Sequence, residues 1–235
     1  MASVTAAILV GGQGTRLRRV ISDRPKVMAE IRGRPFLSYL LDQLMDWGVR
    51  SVVLCTGYRG DQICNTFGNT YGSLKIIYSQ ESSPLGTAGA IRQALPMFNS
   101  DPLLLLNGDS FCGVDIKSFV SWHCELKATG SIVLSRQSDT RNSGRVEIDP
   151  SGQIVRFEEK GTHMSPGWIN AGVYLLSLRL LQSIPQTAPL SLEHEVFPKW
   201  VAQGLYGYPY HGRFLDIGTP EAFPSATDFF AFHRT

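Results

Sequence analysis

Short, nearly all-apolar runs recur through the first half of the chain, and each is followed by a stretch with helical spacing. The runs are Ala6 to Val10, Ser51 to Thr56, Lys75 to Ser79 and Leu103 to Leu106. Between them, Phe36, Tyr39, Leu40, Leu44 and Trp47 recur at helical intervals, Asp61 to Phe67 reads as a short helix, and Thr87 to Leu95 as a helix stopped by Pro96. Pro35 ahead of the first helix and Gly48 behind it match the asymmetry of helix ends. Strands alternating with helices in this way predict parallel βαβ units. Their right-handed crossovers leave a ligand crevice at the carboxyl ends of the strands.

The second half changes rhythm. Phe119, Val120 and Trp122 predict a helix that leads to a strand over Ser131 to Ser135. Arg145 to Asp149 and Gln153 to Phe157 flank Pro150-Ser151-Gly152 and read as a β-hairpin. Trp168 to Leu176 is a further strand, Leu178 to Ile184 and Glu193 to Val201 are helices, Phe214 to Gly218 is a late strand, and Pro220 to Phe232 closes with a helix. These elements predict an antiparallel addition to the sheet. The 235 residues are enough to bury a substantial core without disulfides or metals. No linker, repeat or low-complexity segment divides them, so residues 1–235 are expected to form one domain.

Composition excludes several classes. A net charge of +2 with no run of Lys or Arg predicts neither a nucleic-acid nor a membrane surface. No apolar run approaches a membrane span, and Met1 to Thr5 lacks the features of a signal peptide, so a cytoplasmic location is expected. Cys55, Cys64, Cys112 and Cys124 show no C-x-x-C, the five histidines form no metal-ligand pair, and no G-x-S-x-G occurs. Zinc enzymes and serine hydrolases therefore lose their support.

The chemistry centres on the turn after the first run, Leu9-Val10-Gly11-Gly12-Gln13-Gly14-Thr15-Arg16-Leu17, followed by Pro25-Lys26. Glycines let a backbone turn sharply and bring bare N–H groups against a ligand, and such concavities bind phosphate. Arg16 adds a planar cationic fork and Lys26 a point charge. The plainer alternative is a glycine turn with two solvated cations. The spacing is neither G-x-x-x-x-G-K-[ST] nor G-x-G-x-x-G, which argues against a Walker-type NTPase and a dinucleotide-binding dehydrogenase. Asp109 in Asn107-Gly108-Asp109 and Asp216 in Asp216-Ile217-Gly218 each end a predicted strand. Brought together across a crevice, two carboxylates suit Mg²⁺, which takes a few carboxylates plus phosphate oxygens. Apart, each would only cap a turn.

Taken together, GGxGTRL with its PK, Asn107-Gly108-Asp109 and Asp216-Ile217-Gly218-Thr219-Pro220 resemble the signatures of the sugar-phosphate nucleotidyltransferases. Ser83-Pro84-Leu85-Gly86-Thr87, Phe157-Glu158-Glu159-Lys160 and Trp168-Ile169-Asn170-Ala171-Gly172 extend the resemblance over nearly the whole chain. It implies a Rossmann-like three-layer α/β/α sandwich with a mostly parallel sheet, of the nucleotide-diphospho-sugar transferase type. It also implies nucleotide binding by Leu9, Gly11, Gly12, Gly14, Thr15, Glu81, Pro84, Gly86, Thr87 and Asp109, with Arg16 and Lys26 as the catalytic cations. Asp109 and Asp216 would hold Mg²⁺, and Gly144, Glu159, Lys160 and Asn170 the sugar phosphate, although Ser143 replaces the aromatic expected before Gly144.

Among subfamilies the compact chain is most similar to the D-glycero-α-D-manno-heptose 1-phosphate guanylyltransferases. That resemblance implies GTP and a sugar 1-phosphate as partners, GDP-heptose for bacterial capsule, S-layer or lipopolysaccharide as product, and leaves a homodimer open. A Glu81 carboxylate accepts two hydrogen bonds and so suits the paired donors of guanine. The rivals are a uridylyl- or thymidylyltransferase acting on a hexose or N-acetylmuramate 1-phosphate and, in a different class, a non-catalytic sugar-nucleotide sensor.

Overall fold

Parallel pairing joins the runs that the sequence marks as buried. In the computed structural model, which describes residues 5–14, 23–140, 144–158, 165–187, 189–218 and 222–232, four strands lie side by side in the order Leu103–Asn107, Thr5–Leu9, Ser51–Thr56 and Leu74–Gln80. All three pairings among them are parallel. Gly167–Leu176 then pairs antiparallel with Leu103–Asn107, and its opposite edge carries Gly130–Gln137. The hairpin of Arg145–Ile148 and Ile154–Glu158 joins the same sheet through Arg145 opposite Ile169. Ten strands in all belong to it among the described residues.

Both faces of this sheet are covered, which is why its central strands read as unbroken apolar runs. Ala6, Ile8, Val52, Leu54, Leu104 and Leu106 face one cluster, built with the helices Phe36–Asp46 and Ile116–Glu125. Ala7, Val53, Cys55, Leu103 and Leu105 face the other, built with the helix Gly86–Ala94 and with Leu181, Phe197 and Trp200. The result is the expected three-layer α/β/α sandwich. Cys55 lies fully inside, and burial pushes its thiol up to about 12, so it stays protonated and inert.

The chain departs from its sequence pattern in a few places. Leu205–Tyr210 is a strand, pairing parallel with Gly130–Gln137, although Gly207 and Pro209 interrupt any strand signal. A peripheral strand tolerates a residue without an N–H. The stretch expected as one helix over Glu193 to Val201 starts instead as a wide π-turn, Leu192–Val196, and continues as a short α-helix, Phe197–Trp200. The closing α-helix is shorter than expected, Ser225–Phe229, because Pro224 marks its start. Its end is docked by Phe230, stacked on Tyr39 at 4.0 Å. Among the described residues no helix is long and apolar enough to cross a membrane.

The strand order places the ligand crevice. From Thr5–Leu9 the chain moves to Ser51–Thr56 and Leu74–Gln80 on one side, then returns to Leu103–Asn107 on the other. The switch point falls between Thr5–Leu9 and Leu103–Asn107, where ligands bind in open α/β sheets. Leu9 is the register partner of Asn107, so the two carboxyl ends are level, and the Gly108 N–H donates to the Leu9 carbonyl at 3.0 Å.

Candidate active site

A crevice of about 250 Å³ opens at this switch point. Of the residues singled out from sequence it is lined by Leu9, Gly12, Gly14, Lys26, Thr87 and Asp109. The loop glycines serve different ends. Gly11 is pressed on the next loop: a Cβ there would lie 3.0 Å from the Gly57 nitrogen, and the Tyr58 N–H donates to the Gly11 carbonyl at 3.2 Å. Gly14 has φ +58°, in the left-handed region, and turns the chain against the Lys26 stem. A Cβ on Gly12 would meet no protein atom within 4 Å, so its backbone is open to a ligand in the crevice.

Two carboxylates meet beside the loop. Ser110–Cys112 and Phe214–Asp216 form an antiparallel pair in which Asp216 opposes Ser110, and the Ile217 N–H donates to the Asp109 carbonyl at 2.9 Å. This brings Asp109 and Asp216 together across more than a hundred residues of sequence. The Lys26 ammonium donates to Asp109 Oδ2 at 2.7 Å, with the lysine side chain 11% exposed and the aspartate 40%. Asp216 Oδ1 accepts from the Gly218 N–H at 2.5 Å. A Cβ on Gly218 would lie 3.1 Å from Lys26 Nζ and 2.6 Å from Asp216 Oδ1, so ammonium and carboxylate flank the same glycine. Among the described residues no cluster of three or more metal-ligating side chains occurs. Two hard oxygen donors beside a phosphate-sized crevice fit Mg²⁺, which keeps most of its shell for water and phosphate.

Glu81 follows the strand Leu74–Gln80 at the far side of the loop. Its Oε2 accepts from the Leu85 N–H at 2.9 Å, and its Oε1 would lie 3.1 Å from a Cβ on Gly11. Burial pushes the carboxyl up, against the pull of the Leu85 N–H. Pro84 is exposed beyond it. Thr87, which would cap a helix starting at its own position, lies inside the helix Gly86–Ala94 and bonds across the chain instead. Its hydroxyl accepts from the Leu192 N–H at 2.8 Å and donates to Glu193 Oε2 at 2.9 Å. Gly86 sits on the same junction with φ +73°, and a Cβ there would lie 2.4 Å from the Leu190 carbonyl oxygen. Gly86→Ala is therefore expected to destabilise the protein by at least ~1–3 kcal/mol, the cost of left-handed backbone alone. Urea unfolding measures it, and an unchanged midpoint would refute the packing of this junction.

Asn170 is held at the other end. Its amide donates to the Tyr174 hydroxyl at 2.8 Å and accepts from the Gly172 N–H at 2.9 Å. Gly144 precedes the strand Arg145–Ile148 and is half-buried. Thr15, Arg16, Glu159 and Lys160 lie outside the described residues. Sequence reasoning passed over Asn107 and Glu193 as site residues, yet both line the crevice. Asn107 stood in the Asn-Gly-Asp run, whereas nothing local marked Glu193.

A doubly covered parallel sheet with a glycine loop and a lysine–carboxylate pair at its switch point is the architecture of the nucleotide-binding α/β proteins. Within that class the chain belongs to the nucleotidyl transferase family, whose sequence profile matches residues 5–231. A D-glycero-α-D-manno-heptose 1-phosphate guanylyltransferase from Aneurinibacillus thermoaerophilus is 36% identical over 222 residues, covering 94% of this chain and 96% of the relative. A mannose-1-phosphate guanylyltransferase from Mycobacterium tuberculosis is 36% identical over 224 residues, covering 94% of this chain and 62% of the relative. HddC from Yersinia pseudotuberculosis, solved in complex with GMP-PN, superposes with a TM-score of 0.86 at 33% identity, covering 97% of this chain and 99% of that one.

Proposed function

We propose that this chain, acting as one domain in a reducing cytoplasmic setting, transfers guanylate from GTP to a sugar 1-phosphate, with D-glycero-α-D-manno-heptose 1-phosphate as acceptor. The meeting of Lys26, Asp109 and Asp216 beside the glycine loop carries the reading of transfer. Similarity to guanylyltransferases for heptose and mannose phosphates supports the base, and similarity along almost the whole of the heptose enzyme supports the acceptor. Four free cysteines accord with a reducing compartment.

The reaction asks for little beyond charge and position. A phosphate oxygen of the sugar 1-phosphate attacks the α-phosphorus, a new P–O bond forms, and the bond to the β-phosphate breaks to release pyrophosphate. The attacking group has its second pKa near ~6, is largely dianionic at neutral pH, and needs no general base. The barrier is repulsion between two polyanions, which cations and fixed alignment overcome. Lys26, held in place by Asp109, brings a positive charge into the crevice, and the open backbone at Gly12 offers N–H groups to phosphate. Asp109 and Asp216 would hold Mg²⁺, which when bound neutralises triphosphate charge as a Lewis acid.

Pyrophosphate release from Mg²⁺, GTP and the heptose 1-phosphate tests the reading; no release with any nucleotide and sugar phosphate would leave the sensor alternative. GTP should exceed UTP and dTTP by well over ~10-fold in kcat/KM, because a site built for paired donors leaves its own groups unpaired on the wrong base. Glu81→Gln keeps an oxygen for the Leu85 N–H and turns an amide donor toward the base, so it should narrow the gap. Better turnover with UTP, or an unchanged gap in the variant, would count against Glu81 and guanine.

A further inference from the structure

The crevice contains a carboxylate to which the transfer reaction gives no role. Glu193 lines it from the π-turn Leu192–Val196, and among the described residues no cation pairs with it. A bare negative charge is unfavourable beside phosphates, so a neutral group with hydrogen-bond donors is the partner that suits it.

Its surroundings hold it as an acceptor. The Leu192 N–H donates to Thr87 Oγ1, which commits the single Thr87 hydroxyl proton to Glu193 Oε2. The Ser191 hydroxyl donates to the same oxygen at 3.1 Å. Both bonds fall on Oε2, and among the described residues no donor meets Oε1. The backbone beneath is clamped to the first half of the chain: the Leu190 N–H donates to the Leu85 carbonyl, and the Ala88 N–H to the Leu190 carbonyl, each at 2.9 Å.

Strand order says which substrate Glu193 faces. Along the carboxyl edge of the parallel strands come Glu81 after Leu74–Gln80, then the glycine loop after Thr5–Leu9, then Asn107 and Asp109, then Asn170 on Gly167–Leu176. Four strand spacings of about 4.8 Å put the two ends roughly 19 Å apart. Glu193 reaches the Asp109 part of this edge. It lines the crevice with Asn107 and Asp109, and its charge, like that of Asp109, bears on Tyr174, whose hydroxyl accepts from Asn170. The base candidate Glu81 does not line this crevice; it lies behind Leu85, whose carbonyl holds the Leu190 N–H.

We propose that Glu193 is a specificity-determining residue, whose Oε1 accepts the proton of one hydroxyl on the sugar of the acceptor phosphate. Thr87 and Ser191 position it by fixing Oε2. This inference rests on the transfer reaction proposed above and names the group that reads its acceptor.

Pyrophosphate-release kinetics on the whole protein test it, with GTP and a sugar 1-phosphate that the wild type turns over, and with the monodeoxy analogues of that sugar phosphate. Glu193→Gln keeps a carbonyl for Thr87 but presents an amide donor to the sugar. It should raise KM for the sugar phosphate about tenfold or more while KM for GTP stays within about twofold. One monodeoxy analogue should lower the wild type to the level of the variant and be indifferent to the substitution, the mark of a direct pair. Thr87→Val should reproduce part of the effect, and it carries the test if Glu193→Gln does not fold. A shift in KM for GTP alone, or an equal loss across all the analogues, overturns the assignment. A variant indistinguishable from an active wild type overturns it while leaving the transfer reaction standing. A wild type that releases no pyrophosphate from any pair overturns the transfer reaction and this inference with it.

Discussion

Asp109→Asn and Asp216→Asn should each lower turnover by on the order of 10²–10³-fold or more while the protein melts as the wild type does. The substitutions remove charge but almost no volume. Asparagine at 216 keeps an oxygen for the Gly218 N–H and asparagine at 109 keeps one for the Lys26 ammonium, so neither change strips a buried group of its hydrogen bond. What is lost is the pair of hard oxygen donors at the mouth of the crevice. If those donors hold Mg²⁺, the Mg²⁺ dependence of the residual rate should move to higher concentration in both variants. Near-normal rates and unchanged Mg²⁺ dependence in the two proteins would rule out a shared two-aspartate site.

Lys26→Met should have an effect of similar size by a different route. The lysine side chain is 11% exposed, its stem packs against Gly14, and its ammonium is the one described cation lining the crevice. Methionine fills the same space without the charge. Repulsion between the two substrates then goes unopposed at that point, and charge passing onto the leaving pyrophosphate loses a fixed partner. A fall in kcat/KM of about 10²–10³-fold, most of it in kcat, is expected. Single-turnover and steady-state rates separate the two parameters. A loss below about threefold would mean that Lys26 serves only to hold Asp109.

The elements that local pattern could specify stood close to where the sequence puts them. Ser51–Thr56 coincides with its expected bounds, Leu103–Asn107 runs one residue past its expected end, and Gly86–Ala94 is displaced by one residue at both ends. Periodicity and apolar runs are short-range properties, and burial on both faces imprints them strongly on the central strands. The pattern is weakest where a strand is peripheral, as at Leu205–Tyr210, or where a proline resets a helix, as at Pro224.

The candidate site divides along the same line. From its residues alone the chain determined a glycine turn after its first strand, a lysine shortly beyond it, and two aspartates at strand ends, because each is written in a few consecutive positions. Tertiary structure decided that Leu9 and Asn107 are level neighbours, that the Ile217 N–H binds the Asp109 carbonyl, and that Thr87 spends its hydroxyl on Glu193 rather than on its own helix. Glu193 could not be read in advance, for no motif or spacing around it marks a site. It faces the crevice because the backbone at Leu190 seats on Gly86, where no side chain intervenes, and that seat is made by two segments a hundred residues apart closing over a shared core. Such a contact depends on how two faces pack, and no local run of residues encodes it.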